Sequence, residues 1–181
     1  MRADYIPKDS MMHILAAMMP ENRLALEASM ASGLRINDVL RLRAERLARR
    51  MTIREQKTGK SRRVYWPEDV YLRLLKNSGP YFVFGGRLSE RRHRTRQAVY
   101  KDLRRTARLF RLNGRKLNEH ISPHTTRKIY AVEELKRYGG NVKKVQRLLN
   151  HSNEAVTCLY ALSDQLTDRR LHGRTVERWK S

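Results

Sequence analysis

The chain has 181 residues and a mass of 21.4 kDa, which fits one domain, and its 40% hydrophobic content is enough for a real core. Its 40 Lys+Arg against 18 Asp+Glu leave a formal net charge of +22 and a pI near 11.0, which points to a polyanionic partner, nucleic acid first. A single cysteine, Cys158, excludes an intramolecular disulfide and a cysteine-built zinc site. The longest apolar run, Ile14 to Met19, falls far short of the ~18 residues of a membrane span, and no secretory signal opens the chain. A cytosolic, reduced and anion-seeking protein is expected.

Three helices are predicted first. Met11, Ile14, Leu15, Met18 and Met19 recur at helical spacing after Ser10, a candidate N-cap, and Pro20 ends that helix. A second helix runs through Leu24, Leu26, Ala28 and Met30 up to Gly33. A third starts near Arg35, with Ile36, Val39 and Leu40 on one side.

The period then changes. Met51 to Glu55 and Arg63 to Trp66 are β-type segments flanking Lys57-Thr58-Gly59-Lys60, which reads as a hairpin turn. A short helix (Val70, Leu72, Leu74, Leu75) follows, and Tyr81 to Phe84 is expected as a third strand. A small sheet therefore interrupts a mostly helical α+β domain.

Arg87 to Lys116 holds twelve Lys/Arg and two Asp/Glu, almost half the net charge. Within it Val99, Leu103, Ala107 and Phe110 form an apolar helical stripe. Lys101, Arg104, Arg105, Arg108 and Arg111 form a basic stripe that lacks acidic i+4 partners. Such a stripe is read as a phosphate-contacting surface rather than a merely solvated face. Ser122-Pro123 starts another helix, with His124, Arg127, Ala131, Leu135 and Tyr138 on one face and Gly139-Gly140 as its stop. Val142, Val145, Leu148 and Leu149 give the next helix, and Ser152 caps a last one through Leu162.

Several enzyme classes drop out. Lys57-Thr58-Gly59-Lys60 lacks the glycine spacing of a P-loop, and no HExxH, paired-carboxylate or clustered His/Cys pattern offers a metal site. What remains is a set of polar residues where a core would take apolar ones. Arg35 opens an inward-facing helix, and His124 and Arg127 lie on a buried-looking face. His151 ends a helix, and Tyr160 edges the apolar stripe of the next.

In order, the segments Ser32-Gly33-Leu34-Arg35-Ile36-Asn37-Asp38, Lys57 to Val64, His124-Thr125-Thr126-Arg127, and Leu148-Leu149-Asn150-His151-Ser152 with Tyr160 nine residues after His151 form one set. That set resembles the catalytic domain of the tyrosine recombinases (phage integrases), which share their core with type IB topoisomerases. Asn150 stands where that family usually has glycine. The resemblance implies a mostly helical catalytic fold over 1–181, without the preceding core-binding domain, and a tail over 163–181 exchanged between protomers.

It also implies roles. Arg35, Arg127 and His151 would donate to the nonbridging oxygens of a scissile phosphate, and Tyr160 would be the nucleophile. His124 would accept its proton, and Lys57, on a mobile hairpin, would protonate the departing 5′ oxygen. Lys60 is the alternative acid and a DNA contact, and Asp38 would orient His124 or Arg35. Neither metal nor ATP is needed, because a 3′-phosphotyrosyl link conserves the bond energy. The implied partners are double-stranded DNA and further copies of the chain, as a tetramer on the nucleoid. Type IB relaxation of supercoils and non-cleaving DNA-binding regulation stay open as alternatives.

Overall fold

The computed structural model describes residues 5–112, 115–116 and 121–149. Seven helices and two two-stranded sheets occur among these residues. The order is α1 (Lys8–Ala16), α2 (Pro20–Ser32), α3 (Ile36–Leu40), β1 (Arg50–Arg54), β2 (Ser61–Tyr65), α4 (Glu68–Asn77), α5 (Arg96–Ala107), β3 (Arg111–Leu112), β4 (Arg115–Lys116), α6 (Pro123–Arg137) and α7 (Val142–Leu148).

Helix α2 is the centre of the domain. It is buried on nearly every side, through Leu24, Ala25, Leu26, Ala28 and Met30, and packs against α1, α3, α4, α5 and α6. Its polar residues Asn22, Glu27, Ser29 and Ser32 are buried with it, and each is hydrogen-bonded or ion-paired, so the helix can sit inside. Met11, Ile14 and Leu15 of α1, Val99, Leu103 and Ala107 of α5 and Ile129 of α6 close around it, each fully buried. Each such aliphatic side chain contributes roughly 1.5–3 kcal/mol. The predicted apolar stripes of α1 and α5 are therefore the core-facing ones, except for Met19, which lies beyond α1 as the N-cap of α2 and is exposed.

Two helix boundaries differ from expectation. Ser10 lies inside α1, which begins after Pro7, and Pro20 starts α2 instead of ending α1. Proline fits there because the first turn of a helix has no use for its missing N–H. Met19 offers α2 no side-chain cap, and Asp102 of α5 supplies one across the core. Its Oδ2 accepts from the Met19 amide at 3.1 Å and from Asn22 Nδ2 at 2.8 Å.

The predicted hairpin forms, with Arg50 opposite Tyr65 and Arg54 opposite Ser61 in an antiparallel register. Ile53 and Val64 point inward and are buried. Tyr81 to Phe84 does not join this sheet as a third strand. Phe82 makes an isolated bridge with Arg43, and the Val83 amide donates to Leu42 O at 2.9 Å. Bounded by Pro80 and Gly85-Gly86, the segment is too short to pair further, and Phe82, Val83 and Phe84 are all buried. The second small sheet, β3 with β4, was not foreseen.

Candidate active site

Each box of the sequence set is fixed by a local device. Gly33 caps α2 in the left-handed region at φ 66°, and a Cβ there would lie 2.3 Å from the Tyr130 ring. That turn presents two main-chain carbonyls: Ser32 O accepts from Arg62 Nη2, and Gly33 O accepts from Arg127 Nη1 at 2.5 Å. Arg35 follows as the N-cap of α3. Ser122 caps α6 through a capping box with Thr125, and Pro123 occupies its first turn, so His124 and Arg127 start that helix as expected. Ser29 Oγ and Thr126 Oγ1, 2.8 Å apart, set the register of α2 against α6.

These devices bring Arg35, Asp38, Lys57, His124 and Arg127 to one cleft of about 250 Å³, together with Gln56 and Arg96. Arg96 was missed in the sequence. It stands first on α5, after the Thr95 N-cap, and one turn apart Tyr100 and Arg104 continue from it along the helix. The Arg104 guanidinium lies 5.9 Å from the Tyr100 ring centre. The basic stripe thus runs out of the cleft. Among the described residues neither Lys57 nor Arg96 makes a hydrogen bond or ion pair. Both hairpin lysines are exposed, and of the two Lys57 lines the cleft while Lys60 does not.

Beneath the cleft lies a carboxylate that the sequence reading also missed. Glu55 is fully buried and meets three arginines, with Arg35 Nη1 at 2.5 Å, Arg62 Nη1 at 3.7 Å and Arg127 Nη1 at 3.9 Å. Arg62 also donates to Leu148 O at 2.5 Å, and burial draws its pKa down. Arg127 is 1% exposed and spans two carbonyls, Gly33 O and Leu149 O, the latter at 2.6 Å. It is a fixed cation in the floor of the cleft.

Asp38 was expected to orient His124 or Arg35. Its hydrogen bond runs instead to the hairpin base, where the Gln56 amide donates to Oδ1 at 3.0 Å. Burial raises its pKa, the Gln56 amide partly offsets this, and the Glu55 charge adds to the rise. His124 is pushed down to about 4, first by desolvation within the cleft and then by Arg127, Lys128, Arg35 and Lys57. His124 is exposed as a residue, so solvent weakens both effects. At pH 7 the ring is neutral and keeps a lone pair for a proton. His151 and Tyr160, with the part of the last box after Leu149 and the 163–181 tail, lie outside the described residues.

The basic stripe was expected along one helix, but α5 ends at Ala107, so Arg108 is its C-cap and Arg111 stands in β3. Lys101, Arg108 and Arg111 are exposed, and so is Arg105, which pairs with Asp102 at 2.7 Å, an i,i+3 pair. Among the described residues no group of three His, Cys, Asp or Glu side chains is placed to hold a metal ion. No helix among them is long and apolar enough to cross a membrane.

Residues 4–166 match the phage integrase family. A tyrosine recombinase of Thermosipho africanus (strain TCF52B) is 29% identical over 168 residues, covering 87% of this chain and 56% of its own length. The chain thus spans little more than half of that relative. The fold is similar to that of XerA recombinase, with a TM-score of 0.65 and 21% identity over 96% of this chain and 65% of that one. It is also similar to lambda integrase(75-356), crystallised as a dimer bound to a COC′ core site, with a TM-score of 0.72 and 16% identity over 99% of this chain and 64% of that one.

Proposed function

The chain belongs to the phage integrase family, and from that premise we propose that it cleaves and rejoins DNA strands at specific sites through a 3′-phosphotyrosyl intermediate. One observation carries the reading: a single cleft collects Arg35 from the start of α3, Lys57 from the hairpin turn and His124 and Arg127 from α6, with Arg96 of α5 beside them. A phosphodiester under attack gains negative charge on its nonbridging oxygens, and fixed cations in a partly dry cleft stabilise that charge without reorganising.

Tyr160 forms the new bond to phosphorus as the bond to the 5′ oxygen breaks. Its proton passes to neutral His124, and Lys57 returns one to the departing oxygen, leaving a free 5′-hydroxyl. His151 adds a further donor. The phosphoester energy stays in the covalent link, so religation to a second strand draws on no nucleotide. Strand exchange then calls for four such protomers, with residues 163–181 docking on a neighbour, and DNA as substrate places the protein on the nucleoid.

A suicide duplex nicked just 3′ of the cleavage site tests the chemistry. The protein is expected to form a denaturant-stable adduct on it in EDTA, and a strict requirement for a divalent ion overturns the mechanism. Relaxation of supercoiled plasmid without site preference would favour the type IB reading instead.

The basic stripe has its own test. If Lys101, Arg108 and Arg111 touch phosphates, replacing all three by Gln lowers the log–log salt slope of binding by ~0.9 for each contact, on any DNA sequence. An unchanged slope returns these residues to solvated surface.

A further inference from the structure

We propose that Thr58 and Glu55 form a positioning latch that ties the lysine hairpin to Arg35, so that proton donor and transition-state donor are set by one carboxylate oxygen. The proposal rests on the strand-transfer reading above, which gives Lys57 and Arg35 those roles.

The three guanidiniums around Glu55 are not held alike. Arg62 is fixed by Ser32 O and Leu148 O, and Arg127 by Gly33 O and Leu149 O. Main-chain carbonyls therefore set both positions. Arg35 has no such support, and among the described residues Glu55 Oε2, at 2.5 Å, is its one hydrogen-bond and ion-pair partner. With a fifth of its side-chain surface exposed, it is also the arginine of the three that opens most to the cleft.

The same Oε2 accepts from Thr58 Oγ1 at 3.2 Å. Thr58 follows Lys57, whose ammonium has no partner of its own among the described residues. What places Lys57 is therefore what holds its neighbours. On one side the Gln56 amide is tied to Asp38 at 3.0 Å. On the other stands the Thr58 hydroxyl on Glu55. Around both, the turn is closed by Gly59 N–H donating to Glu55 O at 2.8 Å and Glu55 N–H to Lys60 O at 2.9 Å. The hairpin taken as mobile from the sequence is anchored at its base. The Thr58 bond is partly buried and ends on a charged oxygen, and its loss frees one side of the short turn that carries Lys57.

The test uses the full chain and two suicide substrates, one with the ordinary 5′ oxygen and one with a 5′-bridging sulfur that leaves without a general acid. Thr58→Ala is expected to slow cleavage of the first about 10-fold, the rate equivalent of one lost hydrogen bond. On the second it should cleave within about twofold of wild type, since the acid is no longer needed. Thr58→Ser, which keeps the hydroxyl, should match wild type on both. Glu55→Gln releases Arg35 as well, so it should be slow on both substrates, and adding Thr58→Ala to it should cost nothing more.

Lys57→Ala is the control. If sulfur rescues Lys57→Ala but not Thr58→Ala, or if Thr58→Ala equals wild type on both, the latch is wrong and strand transfer stands. If sulfur fails to rescue Lys57→Ala, the acid role itself fails and the latch falls with it. Should Glu55→Gln not fold, the Thr58 pair decides alone.

Discussion

Replacing Tyr160 by Phe should abolish the covalent adduct on suicide DNA while leaving DNA affinity within about twofold of wild type. Phe removes the hydroxyl alone, and phosphate contacts made by Lys and Arg dominate affinity. Two other tyrosines, Tyr130 and Tyr138, are the candidates to substitute. Tyr130 packs its ring on Gly33, and burial, then the Glu134 charge, pushes its pKa up to about 12, so its oxygen holds its proton more tightly than a free tyrosine. Tyr138 follows the end of α6, about 16 Å along the axis from Arg127 by the ~1.5 Å rise per residue. There Lys144 Nζ sits 3.9 Å from its ring centre and the ring packs on Ala131, Leu135 and Val145. Neither is set to attack a phosphate in the cleft. A Tyr160→Phe adduct that survives denaturant would mean that the last box carries no nucleophile, and mapping the modified residue would name the one that does.

How far the sequence reached depends on the range of the physics behind each feature. The hairpin, the Ser122-Pro123 start and the Gly33 stop are set within a few residues, so pattern alone exposes them. The core faces of α1 and α5 follow from period in the same way. Tyr81 to Phe84 has strand composition, but pairing is decided by a partner elsewhere, and the segment found residues 42–44 on one side and the Arg94 amide at Phe84 O, not the β1–β2 hairpin.

The buried charges were the larger omission. Glu55 and Arg62 both occupy inward positions of the hairpin, in line with Ile53 and Val64, where a strand ordinarily takes apolar residues. Two charges on the core side of an amphipathic hairpin are a signal of a paired interior site. Arg96 left no such trace. It sits among many arginines, and its special place comes from the N-terminus of α5 meeting α3 and α6 around the cleft.

The contrast between Arg127 and Arg35 gives the last expected result. In the proposed role of transition-state donor, either one changed to Ala should slow cleavage by ~10²–10³. They should part company in stability. Arg127→Ala strips a cation that is only 1% exposed from two main-chain carbonyls and leaves Gly33 O, Leu149 O and Glu55 with less compensation. Breaking a buried ionic cluster from one side costs about 3 kcal/mol or more, which for a chain of this size lowers the melting temperature by roughly 6–12 °C. Arg35→Ala also deprives Glu55 of a partner, but that position borders the cleft, so water reaches the vacated space and Arg62 and Arg127 stay in place. Its melting point should fall by less than half as much. Thermal melts beside single-turnover cleavage rates decide the matter. Equal destabilisation by the two changes would mean that Arg35 is as much a part of the interior cluster as Arg127. An Arg127→Ala protein that melts like wild type would mean that the carbonyl clamp adds nothing to the fold, leaving Arg127 as a residue held for its charge alone.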